Sequence, residues 1–116
     1  MKKVLVLDDG RDRAAPIREA LSKKKLDADV CAASNDFMTA LCGAPRFEAV
    51  YINAETWKKG RCIYEYFDAG SRLASVPAVF YNVDEKYKPC IAGRQPHEGD
   101  RVFAAPSDVE TAVEAV

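Results

Sequence analysis

The chain has little of what catalytic and metal sites are usually built from. Among its 116 residues there is one histidine, His97, and one tryptophan, Trp57. The four cysteines, Cys31, Cys42, Cys62 and Cys90, form no C-x-x-C pair, and only one histidine is available to help them bind zinc. They read as small thiols of a reducing compartment, and Cys90 has no second thiol placed to resolve an oxidised sulfur. Neither sign of charge dominates: 17 basic against 18 acidic residues leave a net charge of −1. There is thus no global field to draw in nucleic acid or an anionic membrane. No apolar run approaches the ~20 residues that span a bilayer. The opening Met1-Lys2-Lys3-Val4-Leu5-Val6-Leu7 is too short for a signal-peptide core, and Asp8-Asp9 cut it off. These absences predict a cytoplasmic protein. The balance of 48% hydrophobic and 30% charged residues is that of one ordinary globular domain with one core.

What is present is an alternation. Lys3-Val4-Leu5-Val6-Leu7 is a short continuous run of β-type residues, as expected of a strand buried on both faces. A helix is predicted over 11–25, with Ala14, Ile17 and Leu21 on one face, Pro16 in its first turn and Lys23-Lys24-Lys25 at its end. A strand at 28–33 precedes a second helix, capped by Ser34 or Asn35, with Phe37, Met38, Ala40 and Leu41 as its apolar positions and Gly43 and Pro45 as its stop. The third strand is 48–53, followed by a polar loop and a helix over 58–70. Pro77 opens a fourth strand, Ala78-Val79-Phe80-Tyr81. Residues 83–100, with Pro89, Gly93, Pro96 and Gly99, leave room only for a short or broken helix. Arg101-Val102-Phe103-Ala104 reads as a fifth strand, and Ser107 with Glu110 as the capping box of a last helix lined by Val109, Ala112, Val113 and Val116. That helix ends on an apolar residue, and the chain is expected to be the N-terminal part of a longer protein.

Regular β-α alternation implies an α/β fold, a parallel sheet with helices on both faces. Right-handed crossovers leave few topologies, and the doubly wound five-stranded order 2-1-3-4-5 suits this size. In such sheets ligands and chemistry gather at the carboxyl edge of the strands. There strand 1 presents Asp8 and Asp9, strand 3 presents Asn53, strand 4 presents Asn82, and strand 5 ends at Ala105-Pro106. Adjacent carboxylates at a buried strand end repel each other and require compensation. A hard cation such as Mg²⁺ would provide it.

Taken in order, Lys3 to Asp9, Phe47 to Ile52, Pro77 to Tyr81 and Val102 to Pro106 resemble the response-regulator receiver domains of two-component signal transduction, across essentially the whole chain. The resemblance implies a flavodoxin-like frame and Mg²⁺-assisted phosphorylation of an aspartate at the end of strand 3. The chemistry-bearing positions depart from the family. Its acceptor aspartate falls on Asn53, its Ser/Thr switch on Asn82, its lysine on Ala105 (before Pro106, where the family's peptide bond is cis), and its aromatic switch residue on Val102. Only the acidic pair matches.

An acyl phosphate needs a carboxylate nucleophile, and an amide is a poor one. The lysine would have neutralised the phosphoryl oxygens. The expectation is therefore a degenerate receiver, not an enzyme. It would act as a phosphorylation-independent interaction module that binds a protein partner or itself through 83–116, with no nucleic-acid or membrane contact. Asn53 is expected to hydrogen-bond Asp8 or Asp9 through its NH₂ group and so hold one conformation. No cofactor is required. Asp8 and Asp9 form either a weak Mg²⁺ site or a vestigial pair, with one carboxylate capping the next helix near Arg11.

Two alternatives stay open. One is a phosphorelay receiver that uses Asp8, Asp9 or Glu55 as a substitute acceptor. The other is a small-ligand binder or enzyme on the same frame, although Asp8-Asp9-Gly10-Arg11-Asp12 makes a poor phosphate loop. Trp57, Tyr64 and Tyr87 read as core or half-buried side chains, with a partner-anchoring role as the other reading. Lys58, Lys59 and Arg61 read as a solvated helix start beside the edge. His97 lies in a Gly/Pro-rich loop and reads as exposed.

Overall fold

The computed structural model describes residues 2–10, 14–42, 47–60, 76–92 and 101–115. In chain order the elements are β1 (Lys2–Leu7), α1 (Ala14–Ser22), β2 (Leu26–Cys31), α2 (Ser34–Cys42), β3 (Ala49–Asn53), α3 (Ala54–Lys58), β4 (Ala78–Val83), α4 (Lys88–Ala92), β5 (Arg101–Ala104) and α5 (Val109–Ala115). The five strands form one sheet in the order β2-β1-β3-β4-β5, and every pairing is parallel. Val6 lies between Val30 and Tyr51, and Phe80 between Ile52 and Val102.

The apolar run of β1 explains the layers. Successive strand side chains point to opposite faces, so a continuous run feeds two cores. Leu5 and Leu7 join Phe37, Leu41, Val50, Ile52, Trp57, Phe80 and Ile91 on one side, where α2, α3 and α4 pack. Val4 and Val6 join Ile17, Leu21, Tyr51, Val79, Tyr81, Ala112 and Val113 on the other, under α1 and α5. At ~1.5–3 kcal/mol per fully buried large apolar side chain, this double core drives the fold.

Three local expectations are revised. The segment after Asn53 is not a polar loop: a helical turn, α3, begins at once. Asn53 is its N-cap, and its Oδ1 accepts the Glu55 N–H at 3.1 Å. The rest of the helix expected over 58–70, with Arg61, Cys62 and Tyr64, lies outside the described residues, as do Arg11, Gly43, Pro45, Val116 and the part of 83–100 that holds His97. The last helix is capped by Asp108 instead of Ser107: Asp108 Oδ1 accepts the Thr111 N–H at 2.9 Å and the Thr111 hydroxyl at 3.0 Å. Ser107 is drawn away because its Oγ accepts the Asn82 N–H at 2.6 Å. The helix over 11–25 is described only from Ala14 and ends at Ser22, after which Lys25 takes a left-handed conformation with φ of 60°.

Candidate functional site at the strand ends

The carboxyl edge brings Asp8, Asp9, Asn53 and Asn82 together, as the strand order requires. Asp8 is 4% exposed, which is costly for a carboxylate unless donors meet it. Its Oδ1 accepts the Gly10 N–H at 2.9 Å, and its Oδ2 accepts the Tyr81 hydroxyl at 2.8 Å. The same hydroxyl lies 3.4 Å from the Leu7 carbonyl. A phenol has one proton, and the shorter, charge-assisted contact is where it goes.

Asp9 is held from α3. Its Oδ1 accepts the Thr56 hydroxyl at 2.9 Å, and its own N–H donates to that hydroxyl oxygen at 3.2 Å. Thr56 is 3% exposed, so this reciprocal pair fixes Asp9 against the start of the helix. Its Oδ2 pairs with the Lys59 ammonium. The compensation for the acidic pair thus comes from a phenol, a hydroxyl and a lysine.

The Lys59 ammonium holds the Asp9 carboxyl below its ordinary value, with a smaller contribution from Thr56 and against desolvation, which raises it. A lowered folded-state pKa gives stability that is fully present above the unfolded value of ~3.9 and is lost as pH falls through the folded value. Lys59→Met removes the principal cause. Urea midpoints at neutral pH and near pH 3 should therefore fall less for Lys59→Met than for wild type, and equal falls would rule out the assigned cause.

Asn53 does not meet the acids through any described hydrogen bond. Its Oδ1 accepts both the Glu55 N–H and the Asn82 side-chain NH₂, the latter at 3.3 Å. Asn82 reaches it because of the backbone. The β4–β5 register shifts between Phe80 and Val83, and Asn82 takes φ of 57°, a left-handed conformation that asparagine tolerates better than most residues. The Ala105–Pro106 peptide bond is cis, and the Ala105 N–H donates to the Val83 carbonyl at 2.7 Å. Val102 is half-buried and packs on the α2/α3/α4 core.

The basic spot divides in two. Lys58 pairs with Glu55 at 3.4 Å and stands 5.0 Å above the ring of half-buried Tyr87, which Lys86 also approaches at 5.0 Å. Lys59 turns to Asp9. Its role is invisible where 54–57 is taken for a loop, because α3 begins at Ala54. With Asn53 as N-cap, Thr56 and Lys59 fall three residues apart on the same side of the turn, which is the signal that would have found both. Cys31 is half-buried, and burial pushes its thiol pKa up, so it is a poor nucleophile; Cys42 is exposed.

Mg²⁺ does not fit the site as these residues stand. Both oxygens of Asp9 have donors, one of them a cation. Asp8 Oδ2 faces a buried phenol, and the third position is a neutral amide whose oxygen already accepts two hydrogen bonds. Among the described residues no group of three acidic, cysteine or histidine side chains could hold a metal ion. Among them, too, no helix is long and apolar enough to cross a membrane.

No protein-family model matches the chain, and no curated protein matches it. Solved structures do. A two-component response regulator from Clostridium difficile superposes with a TM-score of 0.74 over 99% of this chain and 92% of that one, at 13% identity. A chemotaxis response regulator of Vibrio cholerae gives 0.73 over 99% and 95%, at 16% identity. The receiver domain of a sensor histidine kinase from Pseudomonas aeruginosa, with a magnesium ion coordinated in its active-site cleft, gives 0.67 over 98% and 92%, at 10% identity. The chain therefore has the receiver-domain fold.

Proposed function

We propose that the chain is an atypical receiver-like signalling domain that works without accepting a phosphoryl group, as a module that binds a protein partner or a second copy of itself. The fold supports the signalling half of this reading. One observation carries the other half. At the end of β3, where a receiver has its acceptor carboxylate, Asn53 has a carboxamide whose oxygen is committed to the α3 N-cap and to Asn82. An amide so held offers no nucleophile, and the groups that would bind and sense a phosphoryl moiety are Ala105, Asn82 and Val102.

The remaining carboxylates are poor substitutes. Asp8 is buried against Tyr81, Asp9 is paired with Lys59, and Glu55 faces solvent beside Lys58. The region we assign to partner binding is 83–116, which contains α4, β5 and α5.

The test is intact mass after incubation with acetyl phosphate and Mg²⁺. No added phosphoryl group is the expected result. A stoichiometric phosphoryl adduct, located by peptide mapping on Asp8, Asp9 or Glu55, would replace this reading with the substitute-acceptor one.

A further inference from the structure

The site compensates its acidic pair from within, and the direction of each donor matters. Asp9 Oδ1 faces inward to the buried Thr56 hydroxyl, and Asp8 Oδ2 faces inward to the buried Tyr81. Asp9 Oδ2 is the oxygen that meets Lys59, whose side chain is 68% exposed and anchored by α3. We propose that Lys59 is a tethered counter-ion that takes the place of a divalent cation at the acidic pair and keeps the strand-end pocket closed to metal. The inference concerns the pocket treated above and rests on its receiver-like reading.

Metal and ammonium compete for one oxygen. A divalent ion approaching from solvent needs Asp9 Oδ2, because the other described carboxylate oxygens of the pair are already engaged by Thr56, Gly10 and Tyr81. It must displace an ammonium that cannot diffuse away, so the effective concentration of the competitor stays high whatever the buffer. It also meets a like charge within a few ångströms. Exposed ion pairs add only ~0.2–1 kcal/mol to stability, so the effect of Lys59 lies in what it excludes more than in what it holds together.

Four proteins test this: wild type, Lys59→Met, Lys59→Arg and the double variant Asp9→Asn with Lys59→Met, each as the 116-residue chain, with free Mn²⁺ counted by electron paramagnetic resonance at neutral pH and low salt. Lys59→Met keeps the length of the stem and removes the charge, and it should bind Mn²⁺ about tenfold or more tightly than wild type. Lys59→Arg keeps a cation and should bind no better than wild type. Asp9→Asn added to Lys59→Met should abolish the gain, which places the ion at this pair. Equal Mn²⁺ binding by wild type and Lys59→Met would overturn the proposal. So would no binding by either, or the same gain in Lys59→Arg as in Lys59→Met. Far-UV circular dichroism checks that each variant is folded. The readout is metal alone, so its failure is distinct from a phosphoryl adduct, which would overturn the functional reading instead.

Discussion

Trp57→Ala is expected to cost about 3–5 kcal/mol of folding stability, the range for removing a large aromatic side chain from a closed core. Trp57 is fully buried and meets Phe37 edge to face, with ring centroids 6.1 Å apart and planes at 87°. That arrangement is favoured by the ring quadrupoles and adds to simple burial. The indole lies in the single turn of α3, so its packing fixes the same turn that presents Thr56 and Lys59 to Asp9. The loss would be a large part of the ~5–15 kcal/mol that holds a domain of this size together. Urea unfolding followed by circular dichroism measures it, since the substitution removes the chain's one tryptophan. Trp57→Phe should cost clearly less. A loss below about 0.5 kcal/mol for Trp57→Ala, within the range of an ordinary surface substitution, would mean that the indole is not a core residue.

Tyr81→Phe is the second large effect, and here one oxygen atom decides it. The phenol donates to Asp8 Oδ2 at 2.8 Å in a buried setting, with Tyr81 and Asp8 0% and 4% exposed. Hydrogen bonds to charged groups contribute ~1.5–3 kcal/mol, and a buried acceptor stripped of its donor incurs its desolvation cost without return. The expected loss is about 1.5–3 kcal/mol, or a fall in melting temperature of several degrees. A cycle with Asp8→Asn separates the bond from the packing. The neutral amide needs the phenol less, so Tyr81→Phe should cost less in that background. Equal costs in the two backgrounds would show that the hydroxyl acts through something other than Asp8.

The departures from expectation share a pattern. Tyr81 stands in an apolar run, and its ring packs there as expected; nothing in the run says that the hydroxyl reaches a carboxylate 73 residues earlier. Ser107 with Glu110 is a sound local cap signal. It was outcompeted because the Asn82 N–H, released from the ladder by the β4 irregularity, needed an acceptor across 25 residues. Asp108 sits next to Ser107 and could take over the cap. The early start of α3 is a matter of turn chemistry: the asparagine that ends β3 is also the N-cap of the helix.

The sequence by itself determined the frame and which residues stand at its carboxyl edge. Element type follows from side-chain period, a local property, and the β-α rhythm leaves very few ways to order five parallel strands. The identities Asp8, Asp9, Asn53, Asn82 and Ala105 then settle which groups reach the carboxyl edge, because strand ends put them there whatever surrounds them. Only the tertiary structure decided who neutralises whom. Lys59 meets Asp9 across 50 residues, and Thr56 meets it across 47. Such pairings carry no periodicity, and they depend on where a flexible stem or a single hydroxyl points once the helix has docked against the sheet.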